Sequence, residues 1–371
     1  MKQPLFTLFN SIQSYLFPTL SHQLGEKLSV KEQKFVNVCC LAGLEDYSSE
    51  FRWRGIGRKP VSRLAVLKAF IAKAVYNISI TRELLDLLRS CPSLRRLCGW
   101  ESVSGIPSES TFSRLFSQFA ESSLPQRIHE NLIIKNYGHE AEGGGKLAGH
   151  CSTDSTAIEA REKAAKKPTA QKTENYPRGR PKKGEVREPK PPRKLELQMS
   201  RSLEENLTDL PKACDIGCKK NSKGYRQSWR GYKFHISCVD GDIPVAAVLT
   251  SASVHDSQVA IPLMQMTSER IDVCYDLMDA AYDAPEIHAV SDRLGRIPII
   301  DSNKRRGEKC EFCPAEKERY KERSAVERVN SNLKDNYGCR NIRVKGADKI
   351  ACHLMFGLLA VTATQIFRLL C

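Results

Sequence analysis

Through most of the first 140 residues, apolar positions recur at the spacing of amphipathic helices. SRLAVLKAFIAKAVYNI and TRELLDLLRSCPSLRRL each carry the stripe of a helix packed on a core, with Thr81 placed to cap the second. In GIPSESTFSRLFSQFAESS, Pro107 and Ser108 mark a turn, and Ser110 or Thr111 can cap a further helix. A short helix, a turn and a capped helix suit a helix-turn-helix; they equally suit a bundle that only packs on a neighbouring core. The opening MKQPLFTLFNSIQSYLFPTL is interrupted by Asn10, Ser11, Gln13 and Ser14, a pattern nearer an amphipathic helix than a secretory signal. ACHLMFGLLAVTATQIFRLL approaches membrane-spanning length, but His353, Gln365 and Arg368 make it a buried helix of a protein that does not enter a membrane.

From about residue 140 the period changes. AEGGGKLAGH reads as a linker and HCSTDSTAIEA as a strand carrying Asp154. Residues 161–230 are polar, basic and proline-bearing without a sustained period, which predicts a largely irregular insertion. GYKFHISCVD and IPVAAVLTSAS follow as strands, with Gly241 and Asp242 between them as a hairpin turn. His255 and Asp256 are expected to end a strand and cap a helix. A helix (DSQVAIPLMQMTSER), a strand (DVCYDLMDA), a helix (PEIHAVSDRLG), a strand (RIPIID) and a last helix complete the order βββαβαβα. That is the order of an RNase H-like core, in an α+β or α/β chain. The predicted organisation is a helical domain at 1–140 followed by a catalytic domain at 141–371.

A formal charge of +15 over 371 residues favours a polyanionic partner. The composition, 41% hydrophobic and 27% charged, is that of a globular protein. With no convincing signal, the 14 cysteines read as reduced thiols of a cytoplasmic protein. Cys214 with Cys218 and Cys310 with Cys313 could together offer four thiolates to zinc. Their wide separation favours free thiols in loops, and no metal is assigned to them.

The densest chemistry lies in YKERSAVERVNSNLKD, residues 320–335. At ~100° per residue, Val326, Val329 and Leu333 form a packing stripe, while Tyr320, Arg323, Glu327 and Lys334 share a second sector. An ion pair of Arg323 with Glu327 at i, i+4 accounts for two of those four. In the predicted core Asp154 on the first strand, Asp279 at the C-terminal end of the fourth and Glu327 on the last helix can converge. Asp276 and Asp283 lie close to the same strand end. Three converging carboxylates suit hard cations such as Mg²⁺ or Mn²⁺, and two ions ~3.5–4 Å apart suit phosphodiester chemistry. Arg323 and Lys334 can then meet phosphates, and Tyr320 can stack on a base or sugar.

The spacing of Tyr320, Arg323, Glu327 and Lys334 resembles the tyrosine-arginine-glutamate-lysine signature of DDE transposases from bacterial insertion sequences. Asp154 in STDST resembles the first catalytic aspartate of that family, and Asp279, three residues before Tyr282, resembles the second. The resemblance implies metal-dependent DNA cleavage at element ends, attack of a 3′-hydroxyl on target DNA, and a homodimer on double-stranded DNA in the nucleoid-associated cytoplasm. The short stretch from Asp279 to Glu327 leaves no room for the large β-rich insertion that some relatives carry there. Within YPRGRPKKGEVREPKPPRK, Arg178-Gly179-Arg180-Pro181 resembles the core of an AT-hook. With Lys182 and Lys183 it serves either as a minor-groove reader or as a solvated basic tether. A nuclease of the same fold without strand transfer, and an inactive DNA-binding relic of an element, are the competing readings.

Overall fold

A computed structural model describes residues 28–51, 55, 60–139, 141, 147–165, 191–220, 223–303 and 310–370. The amphipathic opening of the chain and the Arg178–Lys183 segment lie outside these residues.

Among the described residues, the N-terminal part has six α-helices: α1 Val30–Leu41, α2 Arg63–Val75, α3 Thr81–Ser90, α4 Pro92–Cys98, α5 Glu109–Glu121 and α6 Leu124–Asn136. A capping box starts α1, with the Ser29 amide donating to Glu32 Oε2 at 2.8 Å. The cap of helix α3 lies one residue earlier than predicted. Ile80 holds the cap position without a side-chain bond, and Thr81 is already helical. The cap position of α5 is likewise Ser108, not Ser110 or Thr111, and the three hydroxyls bond one another at 2.9 and 3.1 Å. Hydroxyl side chains here satisfy each other, so the one nearest the turn takes the boundary.

The rest is a mixed sheet flanked by helices. Its elements are β1 Ala148–Glu159, α7 Lys194–Gln198, α8 Leu203–Thr208, β2 Asp215–Lys220, β3 Arg226–Val239, β4 Ile243–Ser251, α9 Ser257–Ser268, β5 Val273–Met278, α10 Pro285–Arg293, β6 Ile297–Ile300, α11 Pro314–Tyr320, α12 Ser324–Asn336 and α13 Ala347–Leu370. Strand β3 is antiparallel to β1 on one edge and to β4 on the other; β5 runs parallel to β1 and β6 parallel to β5. Gly241 and Asp242 both have positive φ (81° and 59°), giving the predicted hairpin between β3 and β4.

The insertion is more ordered than its composition predicts. Helices α7 and α8 lie on α9, where Asn206 donates to Gln265 Oε1 at 3.0 Å and Gln198 to the Gln258 carbonyl at 2.8 Å. Strand β2 extends the outer edge of β3 from Gly231 to Arg226, beyond the point where β4 ends at Tyr232. Gly231 makes that handover. Its φ is 149°, and a Cβ there would stand 2.1 Å from the Ile158 carbonyl oxygen. Gly231→Ala should therefore lower stability by about 1–3 kcal/mol, read by urea unfolding against wild type.

Helix α13 has the length and composition of a membrane span, yet it is buried inside the protein. Phe356 stacks on Phe70 of α2 with ring centroids 5.7 Å apart, and Phe116 of α5 packs on the same Phe70 at 5.0 Å. One apolar core runs from the N-terminal helices through α13 to the sheet. This burial, more than sequence separation, fixes the helical part against the sheet.

Candidate active site

Asp154 sits mid-way along β1, opposite Ile236 of β3. Two residues earlier, Ser152 donates to the Glu322 carbonyl at 3.0 Å and docks the chain preceding α12 onto the strand. Asp279 lies just past the end of β5, the parallel neighbour of β1, and its Oδ1 accepts the Ala281 amide at 2.9 Å. Pairing in the sheet thus brings the end of β5 level with the middle of β1, and with it two aspartates 125 residues apart in sequence.

Asp154 feels the charge of Asp279. Asp154 is pushed up to about 6, first by burial and then by Asp279 and Asp256; the Ser155 amide and Arg323 pull the other way. Tyr282 is fully buried, and its hydroxyl has no hydrogen-bond partner among the described residues. Burial, followed by the charges of Asp256, Asp154 and Asp279, drives that phenol well above its ordinary range. The tyrosine three residues after Asp279 is therefore the buried floor of an acidic site.

The neighbouring acids have other engagements. Asp276 is 1% exposed; it accepts Ser291 Oγ at 2.8 Å and pairs with Arg296 at 3.4 Å. Asp283 accepts the Asn303 amide at 2.8 Å and stands 3.4 Å from His288.

The 320–335 stretch is not one continuous helix. Helix α11 ends at Tyr320, a 3₁₀ turn spans Lys321–Arg323, and α12 starts at Ser324. Ser324 Oγ donates back to the Lys321 carbonyl at 2.9 Å, and the turn tightens where that acceptor is engaged. The uniform sector expected for Tyr320, Arg323, Glu327 and Lys334 is consequently interrupted between the first and second members. Arg323 donates to Glu327 Oε1 at 2.6 Å, the i, i+4 pair. Burial opposes the Arg323 charge, but Tyr320, Glu327, Asp154 and Asp279 together raise its pKa. Arg323 is the cation shared by both aspartates and the glutamate.

Glu327 is half-exposed and opens on a shallow groove of about 550 Å³ along α12, lined also by Ser324, Arg328, Ser331 and Asn332. Tyr320 packs on Phe312 with centroids 4.9 Å apart. Arg319 holds the preceding helix in place, lying 4.1 Å over the Tyr275 ring of β5. Lys334 reaches β1 instead of open groove: its Nζ donates to Thr156 Oγ1 at 2.6 Å and to the Ala157 carbonyl at 2.9 Å.

Asp256, expected to cap a helix, has a further engagement near the site. It occupies the N-cap position of α9, but its side chain makes no capping bond. It pairs instead with Lys233 of β3 at 2.9 Å and accepts from the Ser155 side chain beside Asp154. Burial pushes the nearby His235 down to about 4, so at neutral pH the cation holding Asp256 is Lys233. The available signal was Lys233 and His235 at alternate positions of one strand, so on one face.

Among the described residues no three His, Cys, Asp or Glu side chains stand close enough to share an ion. The donors nonetheless fit a hard divalent cation. Asp154 and Asp279 would offer carboxylate oxygens, one destabilised as an anion, over a buried hydroxyl with no partner among the described residues. Glu327 is turned to Arg323.

Burial of the Asp154 anion also makes a stability prediction. Its folded pKa, about 6, lies above the ordinary 3.8, so the native state binds the proton first as pH falls. Stability is then lost as pH rises from about 4 to about 6 and stays lost above. In metal-free buffer at pH 8, Asp154→Asn should raise stability by about 1–3 kcal/mol, and the gain should vanish near pH 4. Urea melts at both pH values check this.

Two protein-family models match the chain. A transposase domain of the DUF772 type covers residues 24–118, and the transposase DDE domain covers 210–363. The second match contains Asp279, Tyr320, Arg323, Glu327 and Lys334, whereas Asp154 precedes it. Together these domains support an insertion-sequence DDE transposase. No curated protein and no solved structure shows a significant similarity to the chain.

Proposed function

We propose that the protein is a DNA transposase that cleaves DNA at element ends and transfers the 3′-hydroxyl end to target DNA. The observation that carries this reading is the meeting of Asp154 and Asp279, from adjacent parallel strands, beside an arginine shared with Glu327. Without the added β2, the strand order β4-β3-β1-β5-β6 supports an RNase H-like core. In this reading Asp154, Asp279 and Glu327 hold two Mg²⁺ or Mn²⁺ ions, Glu327 turning from Arg323 when DNA enters. Bound divalent ions supply Lewis acidity to the attacking and leaving oxygens. Arg323, released from Glu327, meets phosphate, Tyr320 packs against the strand end, and Lys334 braces β1 behind Asp154. Helices α1–α6 form the end-binding part, the basic segment with Arg178, Arg180, Lys182 and Lys183 adds DNA contact, and a homodimer brings two ends together.

The test is strand joining by the purified protein, with Mg²⁺ or Mn²⁺, on duplexes carrying the ends of the genomic element that encodes it. Joined products are expected. Cleavage without joining would favour a nuclease of the same fold, and binding without either would favour a relic.

A further inference from the structure

Strands β2 and β3 continue beyond the sheet as a two-stranded ribbon, Asp215–Lys220 against Arg226–Gly231. We propose that this ribbon is an arm that grips the phosphate backbone of duplex DNA about one helical turn from the catalytic carboxylates. The proposal rests on the DNA-transposase reading and adds to it a second contact surface.

The ribbon is built to stand in solvent. Residues on both of its faces are exposed: Ile216, Cys218 and Lys219 on one strand, and Arg226, Gln227 and Ser228 on the other. Its packing is internal. The Trp229 ring lies over Gly217, where a Cβ would come within 2.4 Å of it, and its Nε1 donates to the Tyr232 carbonyl at 3.0 Å. A ribbon without an apolar face toward the core needs another reason to be there.

Its charge supplies one. Between Asp215 and Gly231 the sequence holds Lys219, Lys220, Lys223, Arg226 and Arg230 against the single acid Asp215. No ion pair engages Lys219, Arg226 or Arg230 among the described residues, while most other exposed arginines in the helical part have acidic partners, such as Arg82 with Glu109 and Arg127 with Glu50. In the register of the two strands Arg226 and Arg230 share one face and Lys219 stands on the other, so the ribbon carries exposed cations on both sides. Such a basic ribbon fits a polyanion such as a duplex backbone.

Length sets the distance. Strand β3 runs unbroken from Ile236, opposite Asp154, to Arg226 at its start. Ten residues at about 3.3 Å each span about 33 Å, close to the ~34 Å of one turn of B-DNA. A duplex engaged at Asp154 and running along β3 would present the same face to Arg226. Lys334 lies along this path, tied to Thr156 and Ala157, and the charge of Lys219 reaches it.

Two measurements on the full-length protein test the arm. The first is binding to a labelled 40-base-pair duplex as a function of salt, for wild type and for Lys219→Ala/Arg226→Ala/Arg230→Ala. Each phosphate contact contributes about 0.9 to the slope of log K against log salt, so the triple variant should lose about 2–3 from it. An unchanged slope overturns the arm and leaves the transposase reading standing; a wild type that binds no duplex, element ends included, overturns both. The second measurement keeps the charge intact, so misfolding of the triple variant cannot mask the result. A genetically incorporated photo-cross-linking amino acid in place of Gln227 should mark element-end DNA about 10 base pairs from the cleavage point. Cross-links confined to the cleavage point, or none with bound DNA, overturn the proposal.

Discussion

Asp154→Asn and Glu327→Gln should each lower DNA cleavage and joining by at least about 10²–10³-fold, the loss typical of one preorganised electrostatic group, while DNA binding stays near wild type. The two substitutions remove charge at different points of the same site. Asp154 is the buried partner of Asp279, and its anion exists there at a cost that a bound cation would offset. Glu327 is the exposed partner, held by Arg323 at 2.6 Å. The amides keep the shape of both side chains, so packing against β1 and α12 should survive. Rates on element-end duplexes, with binding followed in parallel, check this. If Glu327→Gln still cut at the wild-type rate, the third acid would lie elsewhere.

The second large effect separates two aspartates only three residues apart. Asp276→Asn leaves Arg296 buried without a charged partner, and breaking such a pair costs about 3–5 kcal/mol. Asp279→Asn faces the site and should abolish chemistry with little loss of stability. Unfolding curves and cleavage rates for the two variants should show opposite patterns. If Asp276→Asn were stable and inactive while Asp279→Asn unfolded, the second catalytic acid would be Asp276.

Where the chain's chemistry is local, the sequence was readable. Gly241 and Asp242 announce the β3–β4 turn because few residues accept positive φ there. The apolar runs of β4 and β5 announce buried strands, and the buried stripe Val326, Val329 and Leu333 marks the packed face of α12. Elements whose reasons are distant were not readable. The β2–β3 ribbon is polar on both faces, so it lacks the alternation that reveals a strand buried on one side. The 3₁₀ turn before α12 depends on where Ser324 Oγ donates. Lys334 satisfies β1, and Asp256 satisfies Lys233 across a strand crossing; neither partnership follows from spacing along one helix. The acids were legible as candidates, and their meeting depends on the parallel pairing of β1 with β5.

Electron paramagnetic resonance of Mn²⁺ bound to the protein–DNA complex tests the central claim most directly. Titrating wild type on an element-end duplex should reveal two bound Mn²⁺ per active site. Asp154→Asn, Asp279→Asn and Glu327→Gln should each lose at least one while DNA remains bound. Undiminished Mn²⁺ binding by all three variants would contradict the account.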